Sequence, residues 1–82
     1  MNLEAFLADV LKPLLDHPEA LRIESAADGR RLALTLHPDP ADIGRVIGKS
    51  GRTIQSLRTL CQVAGEKAGL RVEVEVHEAD RA

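Results

Sequence analysis

Residues 46–54 read Val-Ile-Gly-Lys-Ser-Gly-Arg-Thr-Ile, and this stretch constrains both the fold and the function of the chain. Gly48 and Gly51 enclose Lys49 and Ser50, and aliphatic residues flank the two glycines. Glycine has no Cβ, so it adopts turn conformations readily and lets another group approach the backbone closely. The stretch therefore predicts a tight polar turn between two apolar helical segments.

The region around this turn is basic, although the chain as a whole is acidic. No Asp or Glu occurs between residues 43 and 65, where Arg45, Lys49, Arg52 and Arg58 contribute +4. The 82-residue chain has a formal net charge of −2, so the remainder carries −6. Because the overall charge cannot account for such a patch, we expect it to face an anionic partner.

The turn also has the features of a phosphate-binding site. Ser50 and Gly51 stand where the second helix should begin, and the first N–H groups of a helix lack intrahelical partners while its dipole favours an anion. Lys49, at the tip, would face the approaching phosphates. The alternative is a plain helix–turn–helix connector in which Gly48 only ends the first helix. The aliphatic flanks and the basic run favour the binding interpretation.

Before the turn, residue periodicity predicts one helix and two strands. Apolar residues recur at helical spacing over residues 3–15, with Asn2 as N-cap and Pro13 as the residue that kinks or ends the helix. Apolar and polar residues then alternate in two runs, joined by a hairpin connection at residues 28–29. The apolar residues of these two strands are Leu21, Ile23, Leu32, Leu34 and Leu36.

From residue 39 onward, the pattern predicts two helices and a third strand. A short helix at about residues 40–47 has Asp39 as its cap, a longer helix covers about residues 51–68, and alternation over residues 70–76 marks a strand. A connection that contains two helices suits a parallel pairing of the second and third strands. The predicted fold is therefore α+β in the order α-β-β-α-α-β, with the helices on one face of the sheet and with Leu34 and Val74 on neighbouring strands.

Length and composition are consistent with one domain. We expect residues 1–82 to form it, with a core over about residues 3–77 and a polar tail at residues 78–82. Phe6 is the only aromatic residue, so the core must be aliphatic, and the single Cys61 cannot form an intramolecular disulfide. We find no signal peptide or bilayer-length apolar run and expect a cytoplasmic protein.

The turn resembles the GXXG loop of KH domains, which bind single-stranded nucleic acid. Residues 42–60, Asp-Ile-Gly-Arg-Val-Ile-Gly-Lys-Ser-Gly-Arg-Thr-Ile-Gln-Ser-Leu-Arg-Thr-Leu, closely resemble the small bacterial one-domain KH proteins of the KhpA family. Residues 11–23, Leu-Lys-Pro-Leu-Leu-Asp-His-Pro-Glu-Ala-Leu-Arg-Ile, are similar to the N-terminal pattern of that family. The resemblance covers essentially the whole chain. It implies the type II (prokaryotic) KH topology, whose three-stranded sheet is mixed.

The resemblance also implies RNA binding, as an RNA chaperone or post-transcriptional regulator, and a partner. Proteins of this family pair with themselves or with a larger KH protein, KhpB (also called Jag). A strand of about four nucleotides would lie between the two helices and the last strand. Lys49 and Arg52 would hold phosphates, and by resemblance Ile47 and Ile54 would form the groove floor. The predicted RNA-binding residues are Arg45, Ile47, Gly48, Lys49, Ser50, Gly51, Arg52, Ile54 and Arg58.

Two other classes of function use the same residues. A protein-interaction module could present the basic patch to an acidic partner. A nucleotide-binding enzyme would need a P-loop, but the run 44–50 has three residues between its glycines where that motif has four. The three histidines, at 17, 37 and 77, are scattered, so we predict no metal site, no cofactor, no catalytic residues and no membrane partner.

Overall fold

The structure is a computed structural model that describes residues 2–77. Its helices and strands are α1 (Leu3–Leu11), β1 (Arg22–Asp28), β2 (Arg31–His37), α2 (Ile43–Ile47), α3 (Arg52–Lys67) and β3 (Arg71–Val76). Short 3₁₀ turns join them at Lys12–Leu14, Pro18–Ala20, Pro40–Asp42 and Lys49–Gly51. The order confirms the predicted α-β-β-α-α-β arrangement. The tail predicted at residues 78–82 lies outside the described residues.

The three strands form one mixed sheet in the order β1-β2-β3. β1 and β2 are antiparallel, whereas β2 and β3 are parallel. Leu34 and Val74 are partners in the parallel register and both are buried, as predicted. The two helices that separate β2 from β3 in the chain cover one face of this sheet, which confirms the α+β class.

Local sequence signals set the ends of α1 and the hairpin. The side chain of Asn2 accepts a hydrogen bond from the N–H of Ala5, and α1 ends two residues before Pro13, which lies in a 3₁₀ turn. In the two-residue hairpin loop Gly29 has a φ of 61°, whereas Arg30 has a negative φ. Glycine at the first loop position is typical of a type II′ turn, whose twist matches that of the strands.

An aliphatic core fills the space between the helices and the sheet. The backbones of α3 and β3 approach closely at Gly65, where an added Cβ would collide with the side chain of Val72. Cys61 is part of the core, and burial raises the pKa of its thiol. Within residues 2–77, every helix is too short or too polar to span a bilayer. The buried apolar cluster comprises Leu3, Leu7, Leu11, Leu15, Leu34, Leu36, Val46, Ile54, Leu57, Cys61, Val72 and Val74.

Candidate nucleic-acid interface

The helix α2, which leads into the glycine turn, is anchored by a buried carboxylate. Asp42 is fully buried, and its two carboxylate oxygens accept hydrogen bonds from the backbone N–H groups of Asp16 (3.0 Å) and His17 (2.8 Å). Hydrogen bonds to a charged acceptor are stronger than neutral ones, and a buried carboxylate without them would be costly. Asp42 therefore fixes the start of α2 against the segment after α1.

No sequence pattern indicates this contact, because its partners lie about 25 residues earlier and contribute backbone rather than side-chain groups. The neighbouring Asp39 has the role that its position predicts. Its side chain accepts a hydrogen bond from the N–H of Ala41 at 2.9 Å and caps the 3₁₀ turn before α2. Of these two adjacent acids, only the local cap could be recognised from the sequence.

At the other end of α2, Gly48 is required both by its conformation and by its surroundings. It has φ 80° and ψ 173°, a region that is essentially restricted to glycine. A Cβ added to Gly48 would collide with the side chain of Thr53 and would lie 2.9 Å from the backbone nitrogen of the same residue. Gly51 has a φ of 74° but open space around its Cα, so only its conformation requires glycine.

The tip between these glycines is strained and exposed. Ser50 has φ 57° and ψ 26° and is the only non-glycine residue within residues 2–77 with a positive φ. A left-handed conformation costs an ordinary residue about 1–2 kcal/mol. The N–H of Gly51 donates to the carbonyl of Gly48 (3.1 Å), and that of Arg52 to the carbonyl of Lys49. This tight turn projects the exposed side chains of Lys49 and Ser50 at the N-terminus of the 16-residue helix α3.

The four basic residues of the patch have different surroundings. Lys49 and Arg52 are exposed and form no ion pair within residues 2–77. Arg45 is also exposed, but its Nε lies 3.3 Å from a carboxylate oxygen of Asp16. The Nε of the half-buried Arg58 donates to the carbonyl of Val74 on β3 at 2.9 Å. Lys49 and Arg52 are therefore the cations most available to an incoming phosphate.

β3 is an edge strand of the sheet, and this edge is the second wall of the predicted groove. Arg71 and His77 donate their N–H groups to the carbonyls of Arg30 and Leu36 beside them. Successive residues of a strand direct their backbone groups to opposite sides, so those of Val72, Val74 and Val76 point away from the sheet. The bond from Arg58 to the Val74 carbonyl therefore spans the space between α3 and this edge.

The two isoleucines assigned to the groove floor differ in accessibility. Ile47 is half-buried and packs against the edge of the core. Ile54 is only 6 % exposed and belongs to the core itself. Ile47 is therefore the side chain of this pair that offers substantial surface to a ligand. The connection from α3 to β3 contains only residues 68–70, so the groove has no long loop at that end.

Comparison with known proteins places this geometry in a family. The model of the KhpA/KhpB KH domain matches residues 4–76. The RNA-binding protein KhpA of Bacillus subtilis is 35 % identical over 75 residues, which are 92 % of this chain and 93 % of that protein. The RNA-binding protein KhpA of Leifsonia xyli is 40 % identical over 68 residues, covering 83 % and 90 % of the two chains. The RNA-binding protein KhpA of Chlamydia pneumoniae is 37 % identical over 76 residues, which are 93 % of this chain and 97 % of that protein.

No solved structure matches the chain. The assignment therefore rests on the sequence matches and on the observed mixed sheet with its glycine turn between two helices. The family match extends from α1 to the end of β3 and includes every predicted RNA-binding residue. This chain belongs to the KhpA/KhpB family of KH-domain proteins.

Proposed function

We propose that this protein binds single-stranded RNA, without catalysing a reaction, in the groove between the glycine turn and the edge of β3. The observation that carries the proposal is the exposed pair Lys49 and Ser50 at the start of α3. The preceding Gly48 fixes their position, and no other residue fits there because a Cβ would collide with Thr53. The names of the related proteins, all RNA-binding protein KhpA, support the same ligand.

Phosphate contacts would supply most of the binding free energy. Lys49 and Arg52 are unpaired within residues 2–77, and the N-terminus of α3 adds roughly half a positive charge. Arg45 would add a further phosphate contact when its guanidinium leaves the ion pair with Asp16 and binds a phosphate instead. Each neutralised phosphate lowers the slope of log K against log salt by about 0.7 for a single strand. A slope of roughly −2 is therefore expected for the small number of contacts that this turn provides.

The bases would lie over Ile47 and near the guanidinium of Arg58. Stacking on aromatic side chains is the usual source of strong base affinity, but Phe6, the only aromatic residue of the chain, lies on α1. The remaining nitrogens of Arg58 could contact a base or phosphate while its Nε stays bound to Val74. We therefore expect modest affinity per groove and weak sequence preference.

In the cell, this activity would make the protein a cytoplasmic RNA chaperone or post-transcriptional regulator. One groove contacts few phosphates, so its affinity at physiological salt would be low. Association with a second copy, or with a larger KH protein of the KhpB type, would place two grooves on one RNA and raise the avidity.

The decisive experiment replaces Lys49 and Ser50 together by Asp. Both side chains are exposed, so the stability should change by less than about 0.5 kcal/mol, while the charge at the turn changes by −3. Titration of labelled single-stranded RNA should give binding to the wild type that weakens with salt, and no measurable binding to the double variant. The matched control is the exposed pair Gln62 and Lys67 on α3, outside the turn, because Gln62→Asp and Lys67→Asp together also change the charge by −3.

Equal affinities for the wild type and the double variant would contradict the proposal. Loss of RNA binding combined with retention of an acidic protein partner would instead identify a protein-interaction module. ATP, added as a competitor, should have no specific effect, because the turn follows the helix α2 rather than a strand as a P-loop would.

A further inference from the structure

Arg58 is a half-buried cation that is held by a backbone group rather than by an acid. Its Nε donates to the carbonyl of Val74 at 2.9 Å. Within residues 2–77, its two Nη nitrogens form no hydrogen bond and no ion pair. Removing a cation from water is costly unless it is paired, so this arrangement points to an acceptor that arrives with the ligand.

The same contact occupies the part of the β3 edge that would otherwise present a backbone acceptor to a base. Val72 and Val74 are only 2 % and 3 % exposed, backbone atoms included. The carbonyl of Val74 is an acceptor that the amino group of adenine or cytosine would need, and Arg58 already donates to it. An arginine has several N–H donors and no acceptor. The groups that Arg58 offers to a base at this wall are therefore donors only.

We propose that Arg58 reads a guanine by donating from its two Nη nitrogens to O6 and N7 of the base. Both atoms are acceptors on one edge of guanine, and an arginine bound to them is the commonest specific contact in protein–DNA complexes. Unpaired bases of single-stranded RNA expose the same edge. Adenine has an amino donor beside its N7, so it accepts only one of the two hydrogen bonds. This preference rests on the proposed function, because it names the base that the same groove selects.

The position of Arg58 suits a base rather than a phosphate. It lies in the second turn of α3, about 10 Å along the helix axis from Gly51, whereas Lys49 and Arg52 flank that glycine at the phosphate site. A nucleotide whose phosphate is bound at the turn would extend its base into the groove, towards the wall that Arg58 covers. The bond from Nε to Val74 also fixes the guanidinium, so less side-chain entropy is lost when the two Nη nitrogens bind a base.

The expected discrimination between guanine and adenine is roughly fivefold to tenfold. This is the lower part of the range for an arginine–guanine pair, because Arg58 is only half-buried and water competes for its donors. The discrimination concerns a single nucleotide, so the sequence preference of the whole groove stays weak. A contact of Arg58 with a phosphate would instead contribute equally to every sequence.

Base analogues test the two acceptors on the wild-type protein, without depending on the folding of a variant. The probes are oligouridylates of about seven nucleotides with a central guanosine, inosine, adenosine or 7-deazaguanosine, so that a contact of about four nucleotides can slide until the purine meets Arg58. Inosine retains O6 and N7 and should bind within a factor of about two of guanosine. Adenosine should bind roughly fivefold to tenfold more weakly, and 7-deazaguanosine, which lacks N7, about threefold to fivefold more weakly. Binding of either as tight as that of guanosine, or of inosine as weak as that of adenosine, would overturn the proposal.

Arg58→Lys tests the planar guanidinium, because lysine keeps the charge but cannot present two parallel donors. In this variant the affinity for the guanosine probe should fall to that for the adenosine probe. The matched control is Arg30→Lys in the hairpin loop, where an exposed arginine outside the groove undergoes the same change and the discrimination should remain. Arg52→Lys should weaken the binding of both probes by the same factor, because Arg52 is assigned to a phosphate. Discrimination that survives in Arg58→Lys, or is lost in Arg52→Lys, would overturn the proposal.

A purely structural role of Arg58 and a failure of RNA binding give different results. If Arg58 only covered the edge of β3, Arg58→Lys would lower the free energy of unfolding in urea and leave the ratio of guanosine to adenosine affinity unchanged, which would overturn the proposal. Salt-dependent binding that is equal for all the probes would overturn the preference for guanine and leave the proposed function intact. Equal binding by the wild type and by the variant with Lys49→Asp and Ser50→Asp would contradict the proposed function, and the preference for guanine with it.

Discussion

The chain reverses direction around two glycines whose surroundings differ. Between β1 and β2, Gly29 has a φ of 61°, and nothing lies within 4 Å of the position that a Cβ would occupy. Between α2 and α3, Gly48 has a φ of 80° and Thr53 packed against it, and nearby Ser50 is left-handed despite having a side chain. The hairpin requires glycine only because of the positive φ at Gly29. The glycine turn requires it at Gly48 both for the positive φ and for the lack of space for a Cβ, and it also contains the left-handed Ser50.

The hairpin turn only connects two strands, whereas the glycine turn also exposes the side chains of Lys49 and Ser50. Strained residues persist only where the surrounding structure enforces them, and they concentrate at sites of function. At the glycine turn, Asp42 holds the start of α2 and Thr53 packs against its end, so the tip is held from two directions. The hairpin is held by the ladder of the strands that it joins.

The largest expected effect is that of Gly48→Ala, compared with Gly29→Ala. The first change adds a collision with Thr53 to a backbone conformation that alanine does not adopt, so we expect a loss of about 3–4 kcal/mol in the free energy of unfolding. The second change carries only the conformational cost, about 1 kcal/mol. Urea denaturation followed by circular dichroism measures both. Equal costs would show that the contact with Thr53 is unimportant.

The next effect concerns the two acids before α2. Asp42→Ala removes two charge-assisted hydrogen bonds from a buried site, which we expect to cost about 2–3 kcal/mol, and should also weaken RNA binding because α2 loses its anchor. Asp39→Ala removes a local cap and should cost about 1 kcal/mol, with little change in RNA affinity. Denaturation and RNA titration of both variants test this difference. Similar RNA affinities for the two variants would indicate that Asp42 has a purely structural role.

The elements of the fold could be predicted from the sequence because their signals are local. The caps at Asn2 and Asp39, the stop before Pro13 and the alternation in β3 all lie within a few residues of what they determine. The exposed end of β1, with Ser25-Ala26-Ala27, has no alternation, so the strand extends further than its apolar residues indicate.

Features of the site that depend on packing between distant segments were not predictable. The sequence shows Ile47 and Ile54 as equivalent apolar residues, and only the tertiary packing leaves Ile47 half-buried and places Ile54 in the core. The partners of Asp42 and Arg45 come from the segment after α1, and the carbonyl bound by Arg58 comes from β3. No local pattern encodes these contacts.

A smaller effect is expected from the strained tip. Ser50→Gly relieves the left-handed strain but increases the entropy of the unfolded chain, so we expect a net gain of about 0.5 kcal/mol in stability. RNA affinity should stay within a factor of about two if Ser50 contributes its backbone, and should fall further if its hydroxyl contacts the ligand. Thermal denaturation and RNA titration distinguish these roles. A loss of stability would show that the local geometry of Ser50 is not strained.

The smallest effect concerns the ion pair beside the turn, and the sheet offers a matched control. Asp16 pairs with Arg45 at 3.3 Å, and Glu73 pairs with Arg31 at 2.8 Å on the open face of the sheet. Both pairs are solvent-exposed, so Asp16→Asn and Glu73→Gln should each change stability by less than about 1 kcal/mol. The backbone N–H that Asp16 donates to Asp42 is retained in the first variant.

These two variants remove the same charge at different places, so RNA binding distinguishes local from overall electrostatics. Asp16→Asn releases Arg45 towards the groove, and we expect a two- to threefold gain in affinity, roughly 0.5 kcal/mol, with a steeper salt dependence because one more phosphate can be neutralised. Glu73→Gln should leave both quantities unchanged, because β3 presents Glu73 on the face away from the helices. RNA titrations at several salt concentrations measure affinity and slope together. An equal gain in both variants would mean that net charge alone is responsible and that Arg45 is not part of the site.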